Sequence, residues 1–176
     1  YRERWGGAVF MNAGAYDGET AQILTGVEAF DPTRGVIRFE AGDLHFRYRY
    51  SRFQAEPLII LRAFFQLRTG EMEVITGRMK DLTERREKSQ PLELPSAGSV
   101  FRRPEGYYVG PLITEAGLKG YAIGGAQVSE KHAGFIVNTG KATARDVLDL
   151  IAHIQRTVKE RTGVELIPEY RIIGEE

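Results

Sequence analysis

Thr143-Ala144-Arg145-Asp146-Val147-Leu148-Asp149-Leu150-Ile151-Ala152-His153-Ile154-Gln155-Arg156-Thr157-Val158, running on to Gly163, decides how the second half of the chain is built. Val147, Ile151, Ile154 and Val158 recur at helical spacing, and Leu148 and Leu150 widen the apolar stripe. Thr143 stands where an N-cap belongs, Asp146 takes the reciprocal position of a capping box, and Gly163 stops the helix. Loss of that cap costs about 1 kcal/mol. Upstream, Phe135-Ile136-Val137-Asn138 reads as a short buried strand and Tyr121 to Val128 as strand-like. Gly124-Gly125 interrupts the latter, which suggests a bulge or a place where a ligand crosses the backbone. Pro111 to Leu118 reads as a short helix with proline in its first turn and glycines near its end. Helices and short strands of this kind make an α+β arrangement.

Further out lies Leu94-Pro95-Ser96-Ala97-Gly98-Ser99-Val100-Phe101-Arg102-Arg103-Pro104. A proline near each end fixes φ and discourages helix in the residue before it, so an ordered loop entering a short strand is expected. Ser99 after Gly98 is placed to work as a proton donor or anchor in a crowded pocket; the plain alternative is a Ser/Gly-rich turn. A final strand, Val164 to Ile173, carries Pro168-Glu169-Tyr170-Arg171. Its carboxylate is either a catalytic acid or an ordinary salt-bridge partner, and the tetrapeptide alone favours the salt bridge. His132, in the polar corner Ser129-Glu130-Lys131-His132, reads first as a structural histidine. The histidines at 45, 132 and 153 have no metal-binding spacing, so no metal is expected.

In the first half, Gly6-Gly7-Ala8-Val9-Phe10-Met11-Asn12-Ala13-Gly14-Ala15-Tyr16 is small, apolar and uncharged. It permits backbone to pack on backbone or on a flat ligand, but it lacks the GxGxxG dinucleotide fingerprint. Ile23–Phe30 and Gly35–Phe39 read as strands joined by a turn with Pro32 and Gly35. Leu58 to Leu67 reads as a more central strand. Between them, aromatics at 46, 48 and 50 alternate with Arg47 and Arg49 as on a half-buried strand. Such interleaving suits single-stranded nucleic acid, a solvated basic face, or an arginine pointed at a carboxylate or phosphate. Thr76 to Lys88 reads as a helix with Met79 and Leu82 on one side, and Pro91 marks a boundary.

Composition narrows the classes. The 176 residues are 42% hydrophobic and 27% charged, enough for a core in one large domain or two small ones. Lys+Arg and Asp+Glu both number 24, so no global field draws nucleic acid or anionic membrane, and neither partner is expected. The absence of cysteine removes disulfides, thiolate metal sites and cysteine nucleophiles. With no apolar run near a membrane span and no signal peptide at Tyr1, a cytoplasmic protein is expected. The missing starting methionine fits a fragment or a processed chain.

In this order, the motifs resemble the UDP-N-acetylenolpyruvoylglucosamine reductase family, also called UDP-N-acetylmuramate dehydrogenases. The matching pieces begin with Gly6-Gly7-Ala8, Asn12-Ala13-Gly14-Ala15-Tyr16 and Tyr48-Arg49-Tyr50-Ser51. They continue through Gln90-Pro91-Leu92-Glu93, Ala97-Gly98-Ser99-Val100-Phe101 and Ala116-Gly117-Leu118-Lys119-Gly120. Ile123-Gly124-Gly125-Ala126, Val128-Ser129-Glu130-Lys131-His132-Ala133 and Pro168-Glu169 with Arg171-Ile172-Ile173-Gly174 complete the set. The short link from Gly106 to Leu112 resembles the family's compact branch, which lacks an extra substrate-domain loop.

The resemblance implies a flavoenzyme of peptidoglycan precursor synthesis and cell wall biogenesis, serving cell shape and division. NADPH reduces FAD, and reduced flavin delivers hydride to the distal enolpyruvyl carbon of UDP-N-acetylglucosamine enolpyruvate. Ser99 would protonate the other carbon, while Arg49 and Glu169 would flank the enolpyruvyl group. Gly6, Gly7, Asn12 and Gly14 would meet the flavin, and Tyr48, Lys88, Arg103 and His132 the substrate. The implied fold is part of a flavin-binding α+β lobe of the vanillyl-alcohol-oxidase-like type, residues 1–90 completed by strand 164–176, plus a small α+β substrate-binding domain at 91–163. Family members are longer and begin with a lobe carrying a flavin pyrophosphate loop that has no counterpart here. The Ile-Pro-Gly-type lead is also replaced by Arg2-Glu3-Arg4-Trp5. The chain alone is therefore expected to bind FAD poorly, and the alternative role is a non-catalytic UDP-sugar-binding or assembly module.

Overall fold

A computed structural model describes residues 5–174. The chain forms two compact units, Tyr1–Arg78 and Met79–Glu176. Strands and helices mix in both, an α+β organisation.

The first unit opens with helix α1 (Trp5–Phe10) and a minimal hairpin, β1 (Gly14–Ala15) with β2 (Gly18–Glu19). β3 (Leu24–Asp31), β4 (Gly35–Glu40) and β5 (Ile59–Phe65) make an antiparallel sheet in the order β4-β3-β5. The β3–β4 turn is shaped by Asp31, whose carboxylate accepts from the Thr33 amide and hydroxyl at 2.8 and 2.7 Å and from Arg34. Those donors, the Thr33 hydroxyl foremost, hold the Asp31 carboxyl far below the usual carboxylate range. Gly35 then takes φ +79°, a left-handed turn position that favours glycine. Val9, Leu24, Val27, Ala29, Phe39, Leu44 and Phe53 form this unit's core.

Residues 46–50 do not extend as the alternating strand the sequence suggests. Arg47 and Tyr50 bridge each other across a tight turn, with N–H···O distances of 3.2 and 3.1 Å, and Arg49 has φ +54°. The aromatic–arginine alternation arises from local stacking: the Arg47 guanidinium lies 4.2 Å from the Tyr50 ring centre and Arg49 5.3 Å from that of Tyr48.

Helix α2 (Met72–Ser89) crosses from the first unit into the second and begins four residues before the expected Thr76. None of its residues is buried, and Met79, expected on an apolar side, is 64% exposed.

The second unit is built on a four-stranded antiparallel sheet in the order β6-β9-β8-β7. Its strands are β6 (Ser96–Ser99), β7 (Ala122–Ile123), β8 (Ala126–Val128) and β9 (Phe135–Asn138). Two helices accompany it, α3 (Val109–Glu115) and α4 (Ala144–Thr162). The capping box forms as the sequence indicates, Thr143 Oγ1 accepting from Asp146 N–H at 3.1 Å and Asp146 Oδ2 from Thr143 N–H at 2.9 Å. These amide bonds, with one from Gly125, lower the Asp146 pKa. Gly163 ends α4 at φ +73°. Leu150, Ile151, Ile154 and Val158 bury the α4 stripe against Ala126, Val128, Ile136 and Ile113. Gly124-Gly125 forms the β7–β8 turn: a methyl on Gly125 would strike the backbone of Lys141 and Ala142. The glycine pair is thus a close crossing of protein on protein.

Residues 164–173 run extended but pair only at Phe101–Pro168. The Arg102 N–H to Ile167 O and Glu169 N–H to Val100 O bonds close that bridge on either side of Pro168, and the expected strand is reduced to it.

Candidate functional site

In the second unit the sequence-indicated Ser99 and Glu169 lie on neighbouring backbone. Ser99 closes β6 opposite Phe135, and the Glu169 N–H donates to the carbonyl of Val100, the residue after Ser99, at 2.7 Å. Arg102 N–H donates to Ile167 O at 2.9 Å, so the 167–169 segment runs antiparallel to 100–102. On its other side Val100 N–H donates to Gly134 O at 3.0 Å. Val100 and Phe101 are buried beneath, while the Ser99 side is exposed and Glu169 half-buried. Apolar anchors thus lie beneath an exposed hydroxyl and beside the backbone that carries a half-buried glutamate.

His132 joins this neighbourhood through β9. Its Nδ1 accepts from Gly134 N–H at 3.0 Å, and its ring meets Phe135 edge-on at 5.0 Å. Desolvation holds its pKa below the ordinary value. With Nδ1 accepting, the neutral ring carries its proton on Nε2, leaving one donor. The buried Ser129 shapes this corner by accepting from the amides of Lys131 and His132.

Arg103 follows β6. Its guanidinium lies 3.9 Å from the Tyr108 ring centre, and Nε donates to Tyr107 O at 3.3 Å. Lys88 is exposed in the last turn of α2. Sequence reading passed over Lys131, whose Nζ donates to Glu87 O at 2.7 Å and pairs with Glu93 at 3.5 Å. It also passed over Tyr170, whose hydroxyl donates to Gly98 O at 3.1 Å. Neither contact has a local signature; both join residues more than forty positions apart.

The first unit gathers the remaining sequence-indicated residues. Asn12, buried at φ +44°, donates through Nδ2 to Glu19 at 3.1 Å and Arg47 O at 3.2 Å and accepts from Ala21 N–H at 2.9 Å. Its amide therefore ties its own segment to residues 19–21 and to the Arg47 carbonyl. Arg49 Nη1 donates to Gly14 O at 3.2 Å, and Gln54 Nε2 donates to Arg49 O at 3.0 Å. Asn12, Gly14, Tyr48 and Arg49 thus share one neighbourhood, while Ser99, Glu169 and His132 share another in the second unit.

For a flavin, the test is whether backbone is left open to a flat ring. Nothing lies within 4 Å of where a Cβ on Gly6 or Gly7 would sit, whereas the space beside Gly14 is filled by Gly18 and Glu19. Gly6 and Gly7 therefore leave open space beside α1, and Gly14 fits its own hairpin. Among the described residues no cluster of His, Cys, Asp or Glu has metal-holding geometry, and no helix is long and apolar enough to cross a membrane.

Comparisons with known proteins bear on the whole chain. Residues 90–173 match the family model described as the UDP-N-acetylenolpyruvoylglucosamine reductase C-terminal domain. The chain is 53% identical over 170 residues to the UDP-N-acetylenolpyruvoylglucosamine reductase of Caldanaerobacter subterraneus subsp. tengcongensis, covering 97% of this chain and 56% of the relative. That of Clostridium beijerinckii is 53% identical over 171 residues, with the same coverage. The crystal structure of UDP-N-acetylenolpyruvylglucosamine reductase from Thermus caldophilus superposes with a TM-score of 0.78 at 38% identity, covering 92% of this chain and 57% of that one. The chain thus spans a little over half the length of the curated relatives it matches. Residues 90–173 belong to the UDP-N-acetylenolpyruvoylglucosamine reductase C-terminal domain family, and 97% of the chain is similar to named reductases of that kind.

Proposed function

We propose that the chain is part of an oxidoreductase of peptidoglycan precursor synthesis that reduces UDP-N-acetylglucosamine enolpyruvate to UDP-N-acetylmuramate. The observation that carries this reading is the placement of Ser99 and Glu169 on paired backbone, through Glu169 N–H to Val100 O, in a chain similar to named reductases along most of its length. Within this reading, Gly6 and Gly7 lie against the flavin, and bound FAD, reduced by NADPH, supplies the hydride. Asn12 and Gly14 support that segment from beneath.

The substrate's carbon–carbon double bond gains a hydride on its distal carbon, and its electron pair moves toward the carboxylate as an enolate. Arg49 stabilises that charge with a planar cation. Ser99 Oγ–H then transfers its proton to the carbon bearing the ether oxygen, and the serine recovers a proton from solvent. The double bond is thereby saturated by one hydride and one proton. A serine hydroxyl is a weak acid in water, so its environment must dry when substrate covers it. Glu169 orients the enolpyruvyl group. Arg103 and Lys88 supply cations for the diphosphate and carboxylate, with Tyr48 and the His132 Nε2–H completing the substrate contacts. Residues 1–90 then serve flavin binding and residues 91–163 form the substrate-binding domain, and the reaction takes place in the cytoplasm.

Stopped-flow absorbance of the FAD-loaded holoenzyme tests the assignment. Ser99→Ala should leave flavin reduction by NADPH unchanged and slow reoxidation by the enolpyruvyl substrate by at least about 100-fold, the usual scale of positioned acid catalysis. Unchanged reoxidation would remove Ser99 from the reaction.

A further inference from the structure

β6 does not pair evenly with β9. Ser96 stands opposite Val137 and Ser99 opposite Phe135, so three steps along one strand face two on the other. The extra residue makes a bulge at Ala97-Gly98, a device that re-aims the side chain following it. Gly98 takes φ +89° within the bulge. A bulge also withdraws peptide groups from the regular ladder, yet both groups of Gly98 are satisfied. Its N–H donates to Ser96 Oγ at 3.1 Å and its carbonyl accepts from the Tyr170 hydroxyl at 3.1 Å.

Tyr170 reaches this carbonyl because its own segment is pinned alongside β6 by the Arg102–Ile167 and Glu169–Val100 bonds. Its half-buried ring packs against the second unit's core. The hydroxyl is therefore presented from a fixed body, and the peptide it grips immediately precedes Ser99.

We propose that Tyr170 is a positioning residue: by holding the Gly98 carbonyl it fixes the β6 bulge and so aims the Ser99 hydroxyl at the carbon it protonates. The proposal rests on the reading of Ser99 as proton donor. A rotation of the Gly98–Ser99 peptide would swing Oγ away from its target, and proton transfer is steeply sensitive to small misplacements.

Tyr170→Phe keeps the ring and removes only the hydroxyl. In the FAD-loaded holoenzyme, flavin reduction by NADPH should be unchanged, while single-turnover reoxidation by UDP-N-acetylglucosamine enolpyruvate slows about tenfold, the scale of one lost hydrogen bond. KM for that substrate should stay within about twofold, since the loss belongs to the chemical step. In a Ser99→Ala background Tyr170→Phe should add no further loss, because both act through one hydroxyl. Ser96→Ala, which removes the anchor on the adjoining Ala97–Gly98 peptide of the same bulge, should give the same selective pattern.

Reoxidation at the parent rate in Tyr170→Phe, with Ser99→Ala impaired, would overturn the positioning role and leave the proton donor standing. Reoxidation unaffected by Ser99→Ala would overturn both. A Tyr170→Phe loss that multiplies with that of Ser99→Ala, or that falls equally on reduction by NADPH, would mark a general structural effect and also overturn the proposal.

Discussion

His132 is held with Nδ1 accepting from the Gly134 amide, in a site that disfavours the charged ring. Because its folded pKa is lowered, the unfolded chain takes up a proton at a pH where the folded chain does not. Stability is therefore intact above the unfolded value of about 6.5 and declines as pH falls from there toward the folded pKa. Thermal unfolding between pH 7.5 and 5.5 should show a fall in Tm that is smaller in His132→Gln; equal falls would place the titration elsewhere. At this scale the sequence was partly legible. Ser99, Glu169 and Arg49 emerged from a motif resemblance, since a lone serine in a Gly/Ser turn or a glutamate after proline has no distinguishing local pattern. Tyr170 and Lys131 remained hidden because their partners, Gly98 and Glu87, are brought to them only by tertiary folding.

Among the elements, α4 was the most legible because cap, stripe and stop all agree over its whole length. Thr143→Ala should lower stability by about 1 kcal/mol, read as a Tm decrease of about 2–4 °C by calorimetry; no change would show that Asp146 and Gly163 define the helix unaided. The β3–β4 hairpin was readable for a similar reason, with Pro32 and Gly35 both suited to its turn. Residues 46–50 misled because period two in sequence is produced as easily by arginines stacking on adjacent tyrosines as by a pleated strand. The 164–173 segment misled because apolar composition does not reveal that its pairing with 100–102 is confined to one bridge.

For the molecule as a whole, α2 is the element most open to attack. It passes from one unit to the other without burying a residue, and exposed ion pairs such as Arg85–Asp81 at 3.0 Å contribute little. Fraying there should be frequent. Brief trypsin digestion should cut first between Arg78 and Lys88 and release two protease-resistant pieces, identified by intact-mass measurement; first cleavage elsewhere would contradict this.

The bridge between Phe101 and Pro168 also orders events in time. Sixty-odd residues, including β7, β8, β9 and α4, separate its two sides, and such distant closures form late because chain entropy opposes them. Ser99 and Glu169 consequently become neighbours only when the intervening chain has folded. A ribosome-bound or half-folded chain holds the serine without the carboxylate, so the pairing serves as a built-in mark of completed folding.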